Sequence, residues 1–444
     1  MIPLALLSAC GPWQRAGTPE PTHPGPEQVI PTIADPNAIF HAMGLITDAT
    51  GGIGFVGTVR IYAGPSPDTM LVMTTLSLHN RGFAFHRDGD SFVGEYHVEL
   101  ALRQQAGVVQ HVGRDERIRV STFRETQRTD ESVIFQQAMA VPAGQYTLAV
   151  TVHDVNGPAT GHAEQPLAVP ERRLPAVSMP LAVYQAHPRV HYADPLDLVP
   201  NPRNAGEYGS DTLHFYVEAY GLPSGAQLAV RAVDQDDRVA WSDSARVPDD
   251  SQVEALVVAV PTDRLSLGRY DLRLALGNDV LAAAPFLVSL SNQWIVGNFQ
   301  DMISLLRYFP YVDTLRAVAN GTPQQRAAAW KKMWQESDPD PATPENEALD
   351  LYFSRLEVAN QRFQDEGVAG WLTERGEVLI GLGEPDNDVD LRPDIQGRGR
   401  TIEWTYDQYR LTLYFIDDTG FGRLRLDPAS RSEFLRVLSR LQRG

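Results

Sequence analysis

Lysine is nearly absent from this chain of 444 residues: only Lys331 and Lys332 occur, and arginine supplies the remaining positive charge. Cysteine is scarcer still. Cys10 is the only one, so no disulfide can close within the chain. No uninterrupted apolar run approaches the ~18 residues of a membrane-spanning helix. Histidine is missing from the carboxy-terminal half, since all eleven histidines lie at or before His214. A histidine base or zinc site would have to sit in the amino-terminal half, where no HExxH or HxH spacing occurs. His187 and His191 are four apart, but Pro188 and Pro195 argue against one helix face. Phosphate-cradling loops are missing too. Gly381-Leu-Gly383-Glu-Pro385 lacks a third glycine and has proline where a helix should propagate. No Walker loop and no Gly-x-Ser-x-Gly elbow exist. Lys+Arg number 38 against 56 Asp+Glu, a net charge of −18, which disfavours nucleic acid as a partner. No cofactor is expected, and no catalytic constellation emerges.

What is present is ordinary globular composition, with 43% hydrophobic and 21% charged residues. The length suggests roughly three domains. The chain opens Met1-Ile-Pro-Leu-Ala-Leu-Leu-Ser-Ala-Cys10, and Leu7-Ser-Ala-Cys10 resembles the lipobox of bacterial lipoproteins, without that family's charged leader residues. The resemblance implies acylation of Cys10, a membrane partner through that lipid, and a periplasm-facing body. Gly11 follows in place of the inner-membrane Asp, which favours the outer membrane. Seven prolines between residues 11 and 36 suit an extended tether.

From Ile39 to Arg173 apolar residues alternate with period two. Thr58–Tyr62, Met70–Leu78, Tyr96–Leu102 and Tyr146–Val152 are the clearest runs, and 180–290 repeats the style. Gly144-Gln-Tyr146-Thr-Leu148 matches Gly268-Arg-Tyr270-Asp-Leu272. The expected fold is multidomain and mainly β: two tandem immunoglobulin-like β-sandwiches, then a helical hairpin and a small α+β domain. The expected boundaries are 1–38 for the tether, 39–175 and 176–290 for the sandwiches, 291–369 for the helices and 370–444 for the last domain.

Phe299–Val318 is apolar at helical spacing, interrupted by Pro310. Thr322-Pro-Gln-Gln325 reads as a capping box with proline at the first helical position. Thr343-Pro-Glu345 reads as the start of a second helix, antiparallel to the first. Val378–Leu382, Ile402–Tyr406, Leu411–Ile416 and Gly422–Leu426 read as strands, with a turn at Asp417–Gly420. Residues 428–442 read as a helix with Phe434, Leu435, Leu438 and Leu441 inward.

Gly370-Trp371-Leu-Thr373-Glu374-Arg375-Gly376, followed by Gly383-Glu-Pro385-Asp386, resembles the signature of the GWxTD domain of bacterial envelope proteins. Trp404-Thr-Tyr406 and Phe415–Gly420 fit the same family, over about residues 326–427. Glu374 stands where the signature has Asp. The family has no established activity, so the resemblance implies a location and a fold rather than a reaction. Read from the residues, Gly370 and Gly376 flank a turn, Trp371 plugs it, and Thr373 and Glu374 accept backbone N–H bonds there. Arg375 would pair with Glu374, Glu377 or Asp386. The functional expectation is a non-enzymatic, lipid-anchored scaffold or accessory subunit of a membrane-associated protein complex. The alternative is a hydrolase or binding module for an envelope polymer, with Glu374, Asp386 and Asp388 as acid and base. Asp386-Asn-Asp388-Val-Asp390 has the spacing of a calcium loop, but Leu391 and Gly397 stand where Gly and Glu are needed.

Overall fold

The computed structural model describes residues 36–48, 52–126, 132–209, 212–248, 251–290, 299–341, 346–363, 369–391, 400–417 and 422–442. Cys10, the proline tether before residue 36, the Thr343–Glu345 helix start, residues 392–399 and residues 418–420 of the expected turn lie outside them.

The protein is mainly β and contains several sheets. In the first unit one sheet runs Ile46–Asp48, Phe55–Ala63, Thr69–His79, Ser132–Pro142. The other runs Phe85–Asp88, Ser91–Gln104, Gly144–Asp154, Thr160–Val169, with Gly107–Val120 also paired to Ser91–Gln104. Period-two patterning sets which side faces in: Tyr96, Val98, Leu100 and Leu102 are buried and meet Leu148, Val150 and Val152 in a core of their own. The second unit repeats the two-sheet plan. One sheet centres on Thr212–Tyr220, and the other runs Ala205–Glu207, Asp279–Ser289, Gly268–Leu276, Gln227–Asp234, Val239–Arg246. The repeat seen in sequence has a structural counterpart. Tyr146 and Tyr270 are both buried. Each hydroxyl donates to the carbonyl four residues upstream, Pro142 at 3.0 Å and Ser266 at 2.9 Å. The phenol fills the core while its polar tip is satisfied at the strand's entry.

The two units are locked together. Tyr62, Ala63 and Met73 of the first pack with Leu181, Tyr216 and Tyr220 of the second. Ala63 donates its N–H to the Tyr220 hydroxyl at 3.0 Å, and its carbonyl accepts from Arg189 Nη2 at 2.7 Å. Behind that contact Arg189 and Glu218 form an ion pair with side chains 1% and 0% exposed.

The second unit shares one apolar core with everything that follows. Tyr208 packs on Phe299 and Trp330, with ring centroids 6.3 and 6.5 Å apart. The helices Phe299–Leu305 and Val312–Arg316 are separated at Pro310, and Tyr311 takes a φ of 63° there. Pro323–Ser337 carries the expected capping box: Thr322 Oγ1 accepts from Gln325 N at 3.3 Å and Gln325 Oε1 from Thr322 N at 2.8 Å. The next helix is Glu347–Arg362, capped by Asn346, whose Oδ1 accepts from Leu349 N at 2.9 Å. Asn346 also ties the start of this helix to the end of the preceding one, its Nδ2 donating to Trp334 O at 2.9 Å. Pro323–Ser337 lies against Val312–Arg316, and Glu347–Arg362 against Glu374–Leu382.

Two expectations are corrected here. Val378–Leu382 is not a strand but the end of a helix, Glu374–Leu382. Val378, Leu379, Ile380 and Leu382 are all buried, and a helix covered on every side has the same continuous apolar run as a buried strand. Leu435 is 49% exposed, and Val437 takes the inward position beside Phe434 and Leu438. The last sheet runs Asn387–Leu391, Thr401–Tyr406, Leu411–Ile416, Arg425–Leu426, and the helix Pro428–Leu441 closes the chain.

Candidate functional site

The signature residues form the junction of four elements. Gly370–Leu372 is a single 3-10 turn pressed against Glu347–Arg362. A Cβ on Gly370 would sit 2.2 Å from Ala359 O, and one on Gly376 would sit 2.1 Å from Gly370 O. Both positions therefore require glycine for close backbone approach rather than for turn geometry. Trp371 is fully buried, and the Arg307 guanidinium lies 4.7 Å from its ring. The Trp371 and Trp404 indole nitrogens are buried without a hydrogen-bond partner.

Thr373 links the turn to the helix. Its Oγ1 donates to Gly370 O at 2.7 Å and accepts from Gly376 N at 3.0 Å, capping the first turn. Glu374 does not bond to the turn. Its Oε2 accepts from Leu426 N at 2.5 Å, and its Oε1 lies 3.2 Å from Arg431 Nη1. Glu377, one turn on, accepts from the Tyr308 hydroxyl and lies 3.8 Å from Arg431 Nη2. Burial pushes the Tyr308 hydroxyl well above its ordinary range, and the neighbouring Glu377 adds to the rise against the opposing pull of Arg307. Both carboxylates are thus held by donors. Arg375, expected to pair with one of them, is buried with its guanidinium 4.5 Å from the Phe363 ring.

The far end of the helix is a separate place. Gly383 closes it with φ +89°, where a Cβ would meet Arg355 Nη2 at 2.9 Å. Tyr406 donates to Gly383 O at 3.0 Å. Pro385 is half-buried, Asp386 accepts from Asp407 N at 2.6 Å, and Trp404 packs edge-on to Phe415 at 4.8 Å. Glu374 and Asp386 stand at opposite ends of a nine-residue helix, and Asp388 lies on an exposed edge strand. At ~1.5 Å per residue they are separated by more than ~10 Å. The acid–base set Glu374, Asp386, Asp388 is therefore not brought together. Asp390 pairs with Arg400 at 3.0 Å, and no group of three or more metal-ligating side chains converges among the described residues. His187 and His191 face different partners, Asp197 at 2.9 Å and Asp194 at 3.2 Å.

A cavity of about 330 Å³ opens beside the helix start, lined by Thr373, Glu374, Glu377, Arg423, Arg425 and Arg431 among others. Sequence reasoning did not name Arg431, and it named Glu377 only as a partner for Arg375. Their partners lie 54 to 69 residues away in the chain, so no local pattern marks them.

No curated protein matches the chain. Among solved structures it is similar to trypsin-activated alpha-2-macroglobulin from Escherichia coli, at 14% identity over 54% of this chain and 17% of that one, TM-score 0.19. It is also similar to red sea bream transglutaminase, at 7% identity over 52% of this chain and 31% of that one, TM-score 0.16. The chain thus spans less than a third of either protein, and TM-scores this low carry no argument. The family comparison is specific. Residues 283–416 match the GWxTD domain. The match starts well before the expected residue 326, inside the last strand of the second unit, in keeping with the core those segments share. The chain therefore carries a GWxTD domain, built on the junction that its signature residues hold closed.

Proposed function

We propose that this protein is a non-enzymatic, lipid-anchored scaffold or accessory subunit of a membrane-associated envelope assembly. The observation that carries the reading is the fate of the signature side chains. The Thr373 hydroxyl both donates and accepts within the protein, and each Glu374 carboxylate oxygen has a protein partner. A catalytic acid or base must keep an atom within reach of substrate, and two such groups must converge in one pocket. Each two-sheet unit is read here as an immunoglobulin-like module. The tyrosine hydroxyls bonded to upstream carbonyls support this, since they resemble the tyrosine corner of such sandwiches. The tightly packed joint around Ala63 suits a spacer that holds the GWxTD domain at a fixed distance from a lipid on Cys10. An outer-membrane, periplasm-facing location is part of the proposal.

The test is purification of the full chain from native membranes in mild detergent. A partner that co-elutes stoichiometrically through a second, orthogonal column supports the reading. Recovery of the chain alone contradicts it.

A further inference from the structure

Arg423 and Arg425 set the cavity beside the signature apart from the rest of the surface. Both are exposed, and the residue between them, Leu424, is buried. Both line the cavity with Arg431. The charges inside it are unequal. Glu374 and Glu377 are already matched, by Leu426 N–H, the Tyr308 hydroxyl and Arg431. Arg423 and Arg425 have no ion-pair partner among the described residues. In a chain of net charge −18, two neighbouring arginines at a concave site with no ion-pair partner among the described residues are an unspent recognition element.

We propose that this cavity binds an extended acidic segment of a partner protein, with carboxylates two residues apart seated on Arg423 and Arg425. The proposal rests on the scaffold reading and names the chemistry of its partner. Spacing selects the peptide. Alternate side chains of an extended peptide lie about 7 Å apart on one face, and Arg423 and Arg425 are likewise two residues apart and line one cavity. Charge selects carboxylates over a phosphate dianion, because Glu374 and Glu377 border the same cavity and oppose a second negative charge on one group. Arginine forks bind carboxylates in two-pronged fashion, which gives register as well as affinity.

The experiment is fluorescence anisotropy of the full chain with a labelled octapeptide of alternating glutamate and serine. Salt is held at ~0.15 M, where the overall negative charge is screened beyond ~8 Å. The expected result is saturable binding that weakens about tenfold or more in Arg423→Gln/Arg425→Gln, a loss typical of paired charge-assisted bonds. The glutamine counterpart peptide should not bind, and Arg440→Gln should bind like the parent. Neither Arg423 nor Arg425 is buried, so the double variant should keep the parent's urea midpoint. Equal binding by the double variant or by the glutamine peptide, or no binding at all, overturns the proposal. So does displacement of the peptide by inorganic phosphate at lower concentration than by unlabelled peptide. The two readings fail separately: a stable native partner without peptide binding sinks only this proposal, and peptide binding without any native partner sinks the scaffold.

Discussion

Arg189 and Glu218 form a two-pronged ion pair, Nε to Oε1 at 2.6 Å and Nη2 to Oε2 at 2.8 Å, buried where the two β units meet. The Tyr216 hydroxyl donates to Glu218 Oε1 at 2.6 Å, and the Tyr220 hydroxyl donates to Oε2. Burial alone would lower the Arg189 pKa, but the hydrogen bonds and charge of Glu218 reverse that and raise it. Removing one partner strands the other charge in a dry site. Arg189→Met should therefore lower unfolding stability by about 3–5 kcal/mol. Arg189→Met/Glu218→Gln should cost clearly less than the sum of the single changes, by urea denaturation.

Alkaline titration tests the same joint. Burial raises the pKa of Tyr216 and Tyr220, and the Glu218 carboxylate raises both further; burial likewise pushes Tyr270 up to about 12. A group whose pKa is raised on folding contributes stability in full below its unfolded pKa. That contribution is lost as pH climbs through the folded value. Stability from these hydroxyls should thus hold to about pH 10 and fall above it. Phenolate absorbance should show these residues ionising only with unfolding. Their ionisation near pH 10 in the folded state would contradict the joint.

The close backbone approach at the signature makes a sharp prediction. Gly370→Ala and Gly376→Ala each drive a Cβ to within 2.2 and 2.1 Å of a carbonyl oxygen. Each should cost at least about 1–3 kcal/mol, the usual range for overpacking that moves backbone. Differential scanning calorimetry reads this as a lower Tm. An unchanged Tm for either variant would show the junction to be looser than described.

The proposed lipid anchor is checked by intact mass. The chain expressed with its upstream genomic region should partition with membranes and carry a lipid-sized mass increase. Cys10→Ala should remove both. A soluble, unmodified parent would contradict the proposed anchor.

The β architecture was legible because burial of one sheet face writes period two into the sequence, as at Tyr96–Leu102. Thr322 and Gln325 were legible because capping is local. Val378–Leu382 reads as a strand because a covered helix and a covered strand share an apolar run, and periodicity cannot separate them. The signature residues were found by resemblance, and of the bonds expected there Thr373's forms while Glu374's does not. Thr373 acts locally, as its residue type suggests, while Glu374 reaches Leu426 and Arg431, 52 and 57 positions on. Leu435 falls outside the buried stripe, because Phe434, Val437, Leu438 and Leu441 follow the i, i+3, i+4, i+7 spacing of one helix face.

The central claim is that the signature's acidic position builds the domain rather than performing chemistry. Glu374→Ala tests it directly through the urea midpoint of the full chain. The account predicts a loss of about 1–3 kcal/mol, because the Leu426 N–H and Arg431 lose their partner. An unchanged or higher midpoint, the usual behaviour when a catalytic carboxylate is removed, would contradict the account and return Glu374 to the enzymatic reading.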